Sequence, residues 1–117
     1  MKDPIATIEL TAVRSTGETF PVKIELGRPY LKPGEEPYFD CWACPVVIDG
    51  FEGILRDVVG DDSFHALMLA QYLIQLHLHL FVEAGGKFFY PDTEDLYPVE
   101  FTFPRVTLPT SDEPPVS

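Results

Sequence analysis

The chain has 117 residues, 45% of them hydrophobic, and carries 19 acidic against 8 basic residues for a net charge of −11. This is the length of one domain with enough apolar residues for a core, which excludes a disordered chain, and two cysteines exclude a disulfide-stapled scaffold. So acidic a surface is repelled by nucleic acid and by anionic lipid, and neither is expected as a partner; the charge serves solubility alone or shapes a surface to meet a basic protein.

The opening MKDPIATIEL has no uninterrupted apolar segment behind its lysine, and a cytoplasmic location is expected. From Ile5 to Arg14 the residues alternate, with Ala6, Ile8, Leu10 and Ala12 on one apolar face. Ser15-Thr16-Gly17 reads as a turn, and Phe20 to Leu26 returns with Phe20, Val22, Ile24 and Leu26 on one side. These segments predict an antiparallel hairpin.

Gly27 to Pro37 holds three prolines and two glycines, the composition of an irregular surface loop. Tyr30, Leu31 and Tyr38, in or beside it, either fold back over the core edge or form a recognition loop. Tyr38 to Asp49 predicts a central strand with two apolar faces, broken at Pro45. Asp49-Gly50 is a tight-turn signal, and Phe51 to Val59 predicts a fourth strand with a bulge allowed at Gly53.

Asp62 to Glu83 is the one long run with neither glycine nor proline, and its repeat is helical. Leu69, Leu73, Leu76, Leu80, Ala66, Leu67, Ala70, Ile74, Leu78 and Phe81 fall on an apolar arc of roughly 200°, about twice the stripe a surface helix needs. A single sheet face does not cover that arc, so a second element or a second subunit is expected alongside. Asp61, Asp62 or Ser63 supplies the N-cap, and Gly85-Gly86 ends the helix. Its two glutamines and three histidines, without basic flanks, argue against a membrane span.

Lys87 to Tyr90 predicts a fifth strand, Pro91 to Pro98 an acidic loop, and Val99 to Val106 an edge strand or an extended arm across the helix flank. Residues 1–108 are expected to form a single α+β domain and 109–117 a disordered tail. The expected fold is an antiparallel sheet of four to six strands in β-β-β-β-α-β order, with one long helix packed on one face.

The chemistry-bearing constellations are few. Cys41-Trp42-Ala43-Cys44 has redox spacing, but inside a strand its thiols point to opposite faces, and no helix N-terminus lowers a pKa. His77 and His79 lie about 200° apart on a helix and cannot jointly complete a zinc site. His77 falls in the apolar arc and reads as a core histidine, while His65 and His79 fall on the polar face. Glu35/Glu36, Asp57/Asp61/Asp62 and Asp92/Glu94/Asp95 form acidic clusters that match no metal-binding, phosphate-loop or hydrolase motif. No metal, cofactor or catalytic residue is expected.

Trp42-x-Cys44, Gly60-Asp61-Asp62-Ser63, Ala66-Leu67-x-Leu69-Ala70-x-x-Leu73, and Gly85-Gly86 before an aromatic strand together resemble a group of small uncharacterised bacterial domains, across residues 5–103. More loosely, the chain is similar to immunity proteins of bacterial toxin systems in size, acidity and architecture. That similarity implies a non-enzymatic protein that binds and neutralises a cognate effector, such as a nuclease with a basic groove. The candidate contact residues are Glu35, Glu36, Tyr38, Asp57, Asp61, Asp62, Asp92, Glu94 and Asp95, with Tyr30 and Tyr97 as anchors. Two alternatives stand beside it. One is a ligand-binding or enzymatic domain with a pocket between helix and sheet around His77, Cys44 and Tyr90. The other is a self-associating structural domain, a homodimer through the wide apolar arc.

Overall fold

The computed structural model describes residues 1, 3–34, 39–51 and 54–103. Strands β1 (Ala6–Val13) and β2 (Thr19–Leu26) pair antiparallel through eight residues, from Ala6↔Leu26 to Val13↔Thr19. The register places Leu10 and Ala12 beside Val22 and Ile24 on the core face, as the alternation predicts. The turn between them is closed by Arg14 N–H donating to Glu18 O at 2.8 Å, and by an Arg14–Glu18 ion pair at 3.3 Å.

Gly27 to Pro37 is not all loop. Tyr30–Lys32 forms a short strand, β3, on the edge of β4 (Cys41–Asp49) that β2 also uses. The chain breaks between β2 and β3 opposite Pro45, which has no N–H to give. Gly27 N–H donates to Pro45 O at 2.8 Å, and Gly27 O accepts from Cys44 Sγ at 3.4 Å. The other edge of β4 pairs with β5 (Ile54–Gly60), so β4 is central, as expected. At the far edge of the sheet, β6 (Lys87–Phe89) pairs with β1 through Thr11–Val13. Across the sheet the order is therefore β5, β4, β2 with β3, β1, β6.

Helix α1 (Ser63–Glu83) lies mainly over β4 and β5. Asp62 is its N-cap and accepts from His65 N at 2.7 Å. At the other end Gly85 has φ +93°, and Gly85 N and Gly86 N donate to Val82 O and Phe81 O, a Schellman closure that suits glycine. Ala66, Ala70, Ile74, Leu78 and Phe81 are buried against the sheet. Small residues at the first two positions let the helix start sit directly on the backbone of Gly60. Farther along, Phe20, Phe51, Phe81 and Phe88 pack edge-on or tilted, with centroids 4.7 to 6.2 Å apart.

Two expectations need correction. Val99–Thr102 is a short helix, α2, rather than an edge strand, and residues 104–106 lie outside the described residues, as does the expected tail. The histidines exchange roles: His77 is half-buried and stacks on Phe51 at 6.4 Å, whereas His79 is buried and faces Glu100 of α2 at 3.3 Å. The second element expected beside the helix is thus α2, but it covers only the His79 flank. Leu69, Tyr72, Leu76 and Leu80 remain exposed.

Candidate functional site: an acidic loop beside an apolar groove

The candidate contact residues do not form one patch. Tyr30 on β3 and Asp57 on β5 reach each other over the open face of β4, the Tyr30 hydroxyl donating to Asp57 Oδ2. That bond, then burial and the neighbouring charge, raises the Tyr30 hydroxyl above its ordinary pKa. Asp61 and Asp62 stand at the start of α1, where Asp62 is occupied as the cap. Asp92, Glu94, Asp95 and Tyr97 lie after β6, at the sheet edge opposite β5. Glu35, Glu36 and Tyr38 lie outside the described residues.

The segment after β6 is the most fully built of these groups. Tyr90 N–H donates to Asp95 O at 3.0 Å, and Tyr97 N–H donates to Phe88 O at 2.8 Å. Thr93 laces the loop, its hydroxyl donating to Tyr90 O at 2.9 Å and accepting from Asp95 N at 3.2 Å. Asp92 holds the left-handed conformation at φ 59°, which aspartate tolerates better than most residues. Tyr90 and Tyr97 meet edge to face at 5.4 Å across the neck. The result is a fixed loop with the carboxylates of Asp92, Glu94 and Asp95 at its exposed surface.

Beside that loop runs an open, mainly apolar groove of about 480 Å³, lined by Val82, Leu96, Tyr97, Pro98, Val99 and Phe101, with Lys87 and Glu100 as its charged members. Leu96 is 59% and Phe101 85% exposed, far more than packing inside the monomer would leave. Sequence reasoning named Tyr97 and the acids but missed Leu96 and Phe101. The signal was the apolar run Leu96-Tyr97-Pro98-Val99, with Phe101 just beyond it, which the sequence reading divided between the acidic loop to Pro98 and an edge strand or extended arm from Val99.

The other hollows offer less. A trough of about 680 Å³ on the open sheet face is lined by Glu9, Arg14, Glu18, Lys23, Asp49 and Asp92 among others. Its cations are engaged: Arg14 with Glu18 and the Phe20 ring, Lys23 with Glu9 at 4.0 Å and Glu25 at 3.9 Å. An apolar pocket of about 250 Å³ does lie between helix and sheet, lined by Ile8, Ile24, Leu26, Gln71, Ile74 and Phe103, away from His77, Cys44 and Tyr90. Those three do not converge: Cys44 donates to Gly27 O, His77 stacks on Phe51 and Tyr90 on Tyr97. Cys41 and Cys44 are free thiols, the first half-buried and the second fully buried in the core. Among the described residues no group of three or more His, Cys, Asp or Glu could hold a metal ion.

Fold and site together define a small α+β domain: one helix on a curled antiparallel sheet, with a laced acidic loop at the sheet's edge. The chain belongs to a family of domains of unknown function, DUF6968, whose match covers residues 6–97. The acidic loop and Tyr97 fall inside the family domain, whereas Glu100 and Phe101 lie beyond it. No curated protein and no solved structure matches the chain.

Proposed function

We propose that this chain is a non-enzymatic protein-binding domain, an immunity-type inhibitor that seats a basic, toxic effector on the face built by the β6–α2 segment. The observation that carries this reading is one juxtaposition. Three exposed carboxylates on a fixed loop stand next to an apolar groove and the outward ring of Phe101, in a chain of net charge −11. Charge of this sign steers a basic protein toward the face and raises the rate of encounter. Leu96, Tyr97 and Phe101 then supply the desolvated contacts that set residence time. A loop already held by its own hydrogen bonds loses little entropy on docking. An effector with a basic substrate groove has the charge to fit, and occupying that groove would neutralise it without chemistry by the inhibitor.

The test is co-expression with the product of the neighbouring gene. The expected result is rescue of growth together with co-purification of the two chains, and loss of both when Asp92, Glu94 and Asp95 are replaced by Asn, Gln and Asn. Rescue that survives those replacements, or a neighbour that neither harms the cell nor binds, contradicts the proposal.

A further inference from the structure

The outward stripe of α1 plays no part in the partner face just described. From Phe64 to Val82 the helix contains no Asp, Glu, Lys or Arg, although the chain as a whole has 27 such residues. Met68 is 39% exposed, Leu69 37%, Tyr72 60%, Leu76 39% and Leu80 52%, and these five lie on the face turned away from the sheet. His65 and Glu83 stand on the same face at its two ends. An uncharged stripe gives a basic partner nothing to steer by, so the occupant is sought in the stripe's own pattern.

That pattern is symmetric about Ile74. Tyr72 and Leu76 lie two residues either side of it, Met68 and Leu80 six, and His65 and Glu83 nine. We propose that two copies of the chain meet through the outward stripe of α1, antiparallel, about a twofold axis level with Ile74, whose own side chain faces the sheet. Tyr72 of each copy then packs on Leu76 of the other, Met68 on Leu80, and His65 faces Glu83. Leu69 widens the seam on the β5 side, and α2, held to His79, closes the other flank. The 3- and 4-residue steps of Leu69, Tyr72, Leu76 and Leu80 are those of an antiparallel two-helix seam. The ends complement each other as well. His65 Nδ1 accepts from Asp61 N at 3.0 Å, so the neutral ring carries its proton on Nε2, ready to donate to a carboxylate. Antiparallel placement also sets each helix dipole against its opposite, and an isologous contact of this kind closes on itself.

The experiment is light scattering on the intact chain at two concentrations, with circular dichroism as the control for folding. The expected mass is twice the 13.2 kDa of one chain. Tyr72→Glu alone and Leu76→Lys alone should each give a folded monomer. An equimolar mixture of the two should regain a dimer, because the introduced glutamate of one copy faces the introduced lysine of the other. Three results overturn the proposal: a wild-type monomer at both concentrations, whatever else the stripe then binds; a dimer that persists in both single variants; or a mixture that stays monomeric. None of these outcomes depends on the effector partner.

Discussion

His79 Nδ1 lies 3.3 Å from Glu100 Oε1, and this pair joins the last turns of α1 to α2. His79 is buried at 8% exposure while the Glu100 side chain is 68% exposed, so the contact is anchored from the helix side and open to solvent on the Glu100 side. It sets where α2 sits, and therefore where Phe101 and the groove wall face.

Removing the carboxylate should loosen α2 locally more than it weakens the whole fold. Glu100→Ala is expected to cost about 1 kcal/mol of unfolding free energy, the scale of one largely exposed side-chain contact. Urea denaturation measures that cost. Hydrogen exchange should quicken at Thr102 and Phe103, whose amides donate to Pro98 O and Val99 O at 2.9 and 2.8 Å. Exchange at those amides unchanged from the wild type would show that the pair does not hold α2.

The approach of α1 to β5 makes a second prediction. A Cβ added at Gly60 would lie 2.5 Å from Ala66 N, a backbone atom that cannot swing aside. Gly60→Ala is therefore expected to destabilise by roughly 1 to 3 kcal/mol as the helix start is pushed off the sheet. The thermal midpoint should fall by several degrees, and an unchanged midpoint contradicts the close packing.

Much of this architecture could be read in the chain. The β1–β2 hairpin followed from strict alternation, and α1 from its periodicity, its closing glycines and a cap narrowed to Asp61, Asp62 or Ser63. Tyr30–Lys32 was hidden because a three-residue strand has too few positions to show a period, and the prolines around it speak for loop. Val99–Thr102 is β-branched and aromatic enough to look extended, but its contact with α1 decides its conformation. His79 falls on the flank that α2 covers, a fact about tertiary packing that no helical wheel contains. The acidic clusters could not be sorted for the same reason: local pattern says nothing about β5 and β6 taking opposite edges of the sheet.

The thiols should differ in reactivity and in their effect on stability. Burial, then the charge of Asp57, pushes the Cys44 thiol above its ordinary pKa. In the native chain a thiol reagent should label Cys41 alone, with Cys44 reacting only after unfolding. The fold keeps the Cys44 proton at a pH where the unfolded chain has released it. Stability is thus full below the ordinary thiol range of about 8.5 and falls as pH rises above it. Cys44→Ala should flatten that slope in denaturation curves taken across the alkaline range; a slope that stays as steep would refute the assignment.

Tyr30 gives an optical test of its bond to Asp57. The raised hydroxyl pKa means that one tyrosine should ionise later than usual when absorbance is followed against pH. Tyr30→Phe should remove that late component, and Asp57→Asn should move it back toward the ordinary tyrosine range. A titration that neither substitution alters would mean that the two side chains do not meet in solution.

The central claim is that the acidic loop after β6 steers a basic protein onto the groove beside it. Its most direct measurement is the association rate of the purified neighbouring-gene product with the wild-type chain and with the Asp92→Asn, Glu94→Gln, Asp95→Asn variant, at low and at high salt. The account predicts a wild-type rate that falls steeply with salt, and a variant rate about tenfold lower at low salt that has lost most of that dependence. Equal rates for the two proteins, with the same response to salt, would contradict it.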